Sequence, residues 1–280
     1  MYTHKELTPY VILSGLAAIL TIVAAGSGLF VTDFYAAIAS PGFRVAAQAQ
    51  DLISLLAAGL MVWAILQTWR GSTRGALIWA GCLGYLIYGY LLFSMDKVFT
   101  TLYPLYVAIL GMCLYSLIGI LGRLSAAAFR PHIAATMPAR LIAIVLAIPA
   151  ILLPPWIAFL TDPVMRTQPN AIVTVNVIDL SFVIPACLVT AYLVWRRQTW
   201  GFAFAGVLLV KLFTMGLSLI IATFWAYFAT NTPIDTFQTP IYAAFMIAGG
   251  YAALRYLSSI QEEVPVKQSR TAFKTANSAR

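Results

Sequence analysis

Eight apolar stretches, each about 20 residues or longer, leave this chain only one solvent in which to fold. They run approximately over 9–32, 50–69, 76–95, 102–122, 140–161, 176–195, 201–227 and 238–258. A helix rising 1.5 Å per residue needs about 20 residues to cross the roughly 30 Å of hydrocarbon in a bilayer, and these runs have that length. They carry no period-2 alternation, so helices are predicted rather than barrel strands. Composition agrees: 61% of the 280 residues are hydrophobic and 9% are charged, whereas a soluble domain has about 45–50% apolar and about 25% charged residues. The predicted fold class is all-α, a polytopic membrane protein with eight transmembrane helices, and the lipid bilayer is its first partner.

Lys and Arg positions orient such a protein, because cytoplasmic loops retain them. With both termini inside, all of the 17 Lys and Arg residues except Arg44, Lys97, Arg166 and Lys211 fall on the cytoplasmic side. The formal charge of +8 follows from this bias and calls for no nucleic acid. The acidic residues divide the other way. Asp33, Asp51, Asp96, Asp162, Asp179 and Asp235 fall on the outer side, and Glu6, Glu262 and Glu263 inside. The predicted location is the plasma (inner) membrane, with the first run kept as a helix and not cleaved as a signal peptide.

The chain also repeats itself. PGFRVAAQAQDL from Pro41 to Leu52 aligns without a gap on PNAIVTVNVIDL from Pro169 to Leu180, pairing Gln48 with Asn176 and Asp51 with Asp179. Leu29 to Asp33 (LFVTD) precedes the first copy as Ala158 to Asp162 (AFLTD) precedes the second. Arg70 to Gly75 (RGSTRG) is matched by Arg196 to Gly201 (RRQTWG), and Pro104 to Ala108 (PLYVA) by Pro240 to Ala244 (PIYAA). Matches in the same order at similar spacing indicate duplication. Four spans per half give both halves the same orientation, so two parallel four-helix repeats are expected about an axis along the membrane normal. The domains are 1–122 for the first repeat, 123–139 for a cytoplasmic linker, 140–260 for the second repeat and 261–280 for a disordered cytoplasmic tail.

Within this frame the first helix is expected to start near Thr8-Pro9. Phe34 to Ala49 reads as a short interfacial helix or re-entrant piece, and the fifth span as kinked by Pro149, Pro154 and Pro155. Cys82, Cys113 and Cys187 sit inside apolar runs as small core residues.

The candidate ligand-binding residues are the polar ones that the duplication pairs or the membrane makes costly. Gln48 with Asp51, and Asn176 with Asp179, lie three residues apart on one helix face. Two such pairs facing one axis would ring it with carboxylates and amides suited to a cation, an amine or a proton. The competing reading is that each Asp merely caps a helix start. Tyr106 and Tyr242 follow matched prolines, and Tyr85 stands where the second half carries Lys211. Lys211 itself falls near the bilayer centre, where a charge costs several kcal/mol unless it is paired or hydrated.

No Walker loop, GxGxxG, HExxH or GxSxG is present, and His4 and His132 both lie at the inner face, which excludes intramembrane bis-histidine haem. No catalytic residue, metal site or cofactor is indicated, and no family resemblance guides the reading. The expected function is a membrane transporter that binds a small ligand, cationic or a proton, at a polar site between the repeats and open to the outside. The alternatives are a membrane-embedded enzyme acting on an outer-leaflet substrate, and a sensor or assembly partner. No protein partner is specified.

Overall fold

Hydrocarbon offers a backbone N–H no water, so a chain this apolar must satisfy its peptide groups within each segment, and helix is the local solution. The computed structural model describes residues 4–36, 41–96, 98–123, 133–167 and 173–262. Among these, eight long helical segments cross the molecule: α1 (His4–Phe30), α2 (Pro41–Trp69), α3 (Thr73–Met95), α4 (Tyr103–Arg123), α5 (Ala139–Thr161), α6 (Thr174–Trp195), α7 (Thr199–Thr230) and α8 (Gln238–Ser258). The described residues contain no strand, only a bridge between Ile133 and Ile260. Seven of the helices are long and apolar enough to span a bilayer, while α8 has the length but more polar residues, among them Gln238, Thr239 and Arg255. The protein is thus an all-helical, multi-pass membrane protein.

Two boundaries differ from expectation. The first helix begins at His4 and runs through Pro9, because a proline this near a helix start removes only one of the first intrahelical bonds. Residues from Pro41 to Ala49 are not a separate interfacial piece: they are the opening turns of the 29-residue α2. Proline is well suited to the first helical position, and the Ala/Gln-rich VAAQAQ that follows favours helix. His132 and the chain beyond Glu262 lie outside the described residues.

The fifth and sixth segments are interrupted. A 3₁₀ stretch, Ile148–Leu152, divides α5 at Pro149. A π-helical turn, Asp179–Val183, divides α6. It ends two residues before Pro185, whose ring cannot accommodate the carbonyl four residues back, and the N–H of Ile184 reaches five residues back to the Asp179 carbonyl.

In the first half, α1 packs on α2, α2 on α3, α3 on α4, and α4 returns to α1. The second half follows the same neighbour order, with α5 on α6, α6 on α7, α7 on α8 and α8 returning to α5. The quartets meet chiefly through α7, which packs against both α2 and α3; α6 touches α3 mainly near its first turns. Small residues allow the close crossings. A Cβ on Gly81 would lie 2.4 Å from Val210 Cβ, and one on Gly216 would lie 2.4 Å from the Met246 nitrogen.

The loops joining α2 to α3 and α6 to α7 are also alike. In each the second residue is left-handed, Gly71 at φ 93° and Arg197 at φ 54°. The next N–H then returns to the carbonyl five residues earlier, Ser72 to Gln67 at 3.0 Å and Gln198 to Leu193 at 2.8 Å. This is the Schellman closure of a helix C-terminus.

These loops lie at the basic end of the bundle. There Glu6 pairs with Arg123 at 2.8 Å, and Glu262 accepts from the Ser72 hydroxyl and the Thr73 and Arg74 amides at 2.9, 2.8 and 3.0 Å. The segment after α8 is thereby bound to the start of α3 in the other quartet.

A buried carboxylate and its aromatic cage

Four of the aspartates end up doing different work from the other two. Asp162 and Asp235 are loop residues whose carboxylates accept nearby backbone amides at 2.8 Å. Asp33 is exposed, and half-buried Asp96 ends α3. Burial pushes the Asp96 carboxyl above its ordinary range, partly offset by a hydrogen bond to Thr174 at the start of α6. Asp51 and Asp179 instead lie inside helices, 1% and 2% exposed. Neither is an N-cap, since α2 begins ten residues before Asp51 and α6 begins at Thr174.

Asp179 occupies the first position of the π turn, about 8 Å along α6 from its start at 1.5 Å per residue. Its two oxygens accept separately, one from the Tyr88 hydroxyl at 3.1 Å and one from the Trp156 indole N–H at 3.1 Å. Tyr88 comes from α3, and Trp156 from the part of α5 beyond the 3₁₀ break, so three helices from both quartets converge on one carboxylate.

The carboxylate lines a cavity of about 90 Å³ between the quartets, room for about three waters at roughly 30 Å³ each. Gln50, Tyr85, Tyr88, Ser218 and Tyr242 share its wall with Asp179 and Trp156, over an apolar floor that includes Leu152, Met215 and Phe245. Gln50 is fixed by donating to the Gly89 carbonyl at 2.9 Å. A Cβ on Gly89 would lie 2.8 Å from the Gln50 amide nitrogen, so an added side chain there would require the amide to shift. Tyr85 donates to the Gln50 carbonyl at 3.3 Å, and Tyr242 donates to Gln238 Oε1. One carboxylate among aromatic faces is a chemistry for small cations: the carboxylate supplies charge and the rings supply quadrupole.

Lys211 stands on the far side of Tyr88. It is 5% exposed, its Nζ lies 3.9 Å from the Tyr88 ring centroid, and it donates to the Met215 thioether at 3.0 Å. Among the described residues it makes no ion pair within 4 Å, although Asp179 is within electrostatic reach. Tyr88 therefore carries the lysine on its ring face and the carboxylate on its hydroxyl.

Asp51 has a separate environment inside the first quartet, where Tyr35 donates to it at 2.5 Å. Burial and the neighbouring carboxylate push the Tyr35 phenol far up, which keeps it a donor. Gly28 makes this pairing sterically feasible, since a Cβ there would lie 1.9 Å from Asp51 Oδ2. Tyr106 is fully buried in the same quartet, packed on Tyr90 and Phe93 and accepting from Thr100 at 3.0 Å.

Of the residues singled out from the sequence, the central cavity thus gathers Tyr85, Asp179 and Tyr242, with Lys211 attached through Tyr88. Asp51 and Tyr106 lie apart from it, and Gln48 and Asn176 are not in its wall. Sequence reasoning did not select Tyr88, Trp156, Gln50, Met215 or Ser218 for the site. A usable signal existed on α7, where Lys211, Met215 and Ser218 share one face by their four- and three-residue spacing.

No family model, no curated protein and no solved structure matches this chain.

Proposed function

We propose that this protein is a membrane transporter for a small monovalent cation, a short amine or a proton, with Asp179 as the binding carboxylate. The observation that carries this reading is the Asp179 cavity, where one buried carboxylate, oriented by Tyr88 and Trp156, faces aromatic rings at the junction of the two quartets. Intramembrane carboxylates that face a cavity mark ion and proton pathways, because their burial has a cost that packing alone does not repay. Tyr85 and Tyr242 supply ring faces to the cation, Gln50 and Ser218 supply neutral polar contacts, and Lys211 tunes occupancy through Tyr88.

The finer features belong to the same proposal. Both termini are read as cytoplasmic in the plasma membrane, on the asymmetry of Lys and Arg. The halves are read as parallel repeats, supported by the shared neighbour order and the twin loops at Gly71 and Arg197. The cavity then lies toward the outer face, the entry side for the ligand.

Uptake of radiolabelled methylammonium into proteoliposomes, with proton flux followed by an entrapped pH dye, tests the reading. Saturable uptake or proton flux that Asp179→Asn abolishes is the expected result. Equal flux in Asp179→Asn and the unmodified protein would remove Asp179 from transport.

A further inference from the structure

A second cavity lies against the first and has the opposite character. It is a groove of about 450 Å³, within the range of small-molecule sites. Its walls come from α3, α4, α6 and α7, and apart from Tyr88 and Lys211 at its floor the lining is wholly aliphatic or aromatic with Gly84. Leu114 on α4 and Phe182 on α6 are 41% and 66% exposed. In a membrane protein such surface faces lipid, so the groove opens sideways into the bilayer.

The groove exists because the junction of the quartets is lopsided. On one flank α2 packs along α7; on the other, α6 meets α3 mainly at its first turns, below which the π turn runs through Phe182 and Val183. The space left there is the groove. Lys211 lines it and does not line the Asp179 cavity, whereas Asp179 lines the cavity and not the groove; Tyr88 lines both.

Lys211 determines what this space suits. Its ammonium has three N–H donors, and its contacts are a thioether at 3.0 Å and a ring face at 3.9 Å. The remaining groups that bear on its charge are buried Cys187 on α6 and Asp179 behind the Tyr88 hydroxyl. A buried cation with such soft partners gains most from an oxygen anion, and an otherwise apolar groove accepts only a molecule whose remainder is hydrocarbon.

We propose that the groove binds a long-chain carboxylate from the bilayer, its chain along the α4 and α6 walls and its carboxylate on the Lys211 ammonium. The site is distinct from the cation cavity and does not rest on the transport reading. Tyr88 joins the two, so a carboxylate bound at Lys211 acts on Asp179 through one side chain.

The full chain in phosphatidylcholine nanodiscs, titrated with tritiated palmitate, is the test. One saturable site is expected, displaced by unlabelled palmitate but not by hexadecanol, which has the same chain without the charge. Lys211→Met should weaken binding by about 10- to 100-fold, the scale of a hydrogen bond to a charged group. Leu114→Trp and Ala186→Trp, on the lipid-facing rim, should block the groove without altering thermal unfolding, and they decide the matter if Lys211→Met does not assemble. Equal displacement by hexadecanol, or binding unchanged in the rim variants, would mean ordinary boundary lipid and overturn the proposal. Methylammonium uptake is measured separately, so failure here leaves the Asp179 reading standing, and the converse also holds.

Discussion

Tyr88 is the residue on which buried Asp179 and Lys211 converge, and its ring and hydroxyl separate experimentally. Tyr88→Phe keeps the ring beneath Lys211 and deletes the donor to Asp179. Methylammonium affinity should fall about tenfold, since a hydrogen bond to a charged group contributes about 1.5 kcal/mol or more. Gly28→Ala tests the other carboxylate. Its new Cβ would collide with Asp51 Oδ2, and overpacking of this kind costs about 1–3 kcal/mol, to be read as a lower midpoint of thermal unfolding with methylammonium binding retained. Asp96 carries a pH dependence with a defined sign. Its folded pKa is raised by burial, so the ionised form opposes folding. That opposition is complete above the raised value and disappears as pH falls to the ordinary carboxylate value of about 3.9. Asp96→Asn should flatten this part of a stability–pH curve. At this scale Lys211 and Asp179 were legible in the sequence, because charge within an apolar run is conspicuous. Trp156 was not, because a tryptophan near a span end reads as an interfacial anchor until a carboxylate is found beside it.

Both helices that break supply groups to the site, Trp156 from α5 and Asp179 from α6. The break in α5 was legible from its prolines. The π turn of α6 was not, because Pro185 is the sole local mark, and one proline in a membrane helix specifies a disturbance without specifying its geometry. Pro185→Ala restores the missing N–H and should let α6 run as regular helix, moving Asp179 away from Tyr88 and Trp156. Weakened methylammonium binding with helical content unchanged by circular dichroism is the expected pair of results. The start of α2 was misjudged for a related reason: Pro41-Gly42 resembles a turn, yet proline is also favoured at a first helical position. The loop after α6 offers a gain. Arg197 holds a left-handed conformation that glycine occupies at the matching Gly71, so Arg197→Gly should stabilise the protein by about 1 kcal/mol, seen as a higher unfolding midpoint.

Across the whole molecule the quartets are joined chiefly by the packing of α7 on α2 and α3, with Tyr88 on Asp179 and Glu262 on the first turn of α3 as further ties. The membrane class, the helix count and the basic end were readable from run length and charge, since lipid thickness imposes them. That the carboxylates aligned in sequence, Asp51 and Asp179, do not share a cavity was not readable: an alignment does not give the direction a side chain faces. Glu262→Ala should lower stability by about 1–2 kcal/mol through loss of an anionic helix cap, followed as the midpoint of thermal unfolding. The asymmetry between the carboxylates also gives the most direct measurement, calorimetric titration of methylammonium into the nanodisc-embedded protein beside Asp179→Asn and Asp51→Asn. One binding site lost in Asp179→Asn and kept in Asp51→Asn is the expected result. Binding that survives Asp179→Asn, or that disappears equally in both variants, would contradict a cation site built on Asp179.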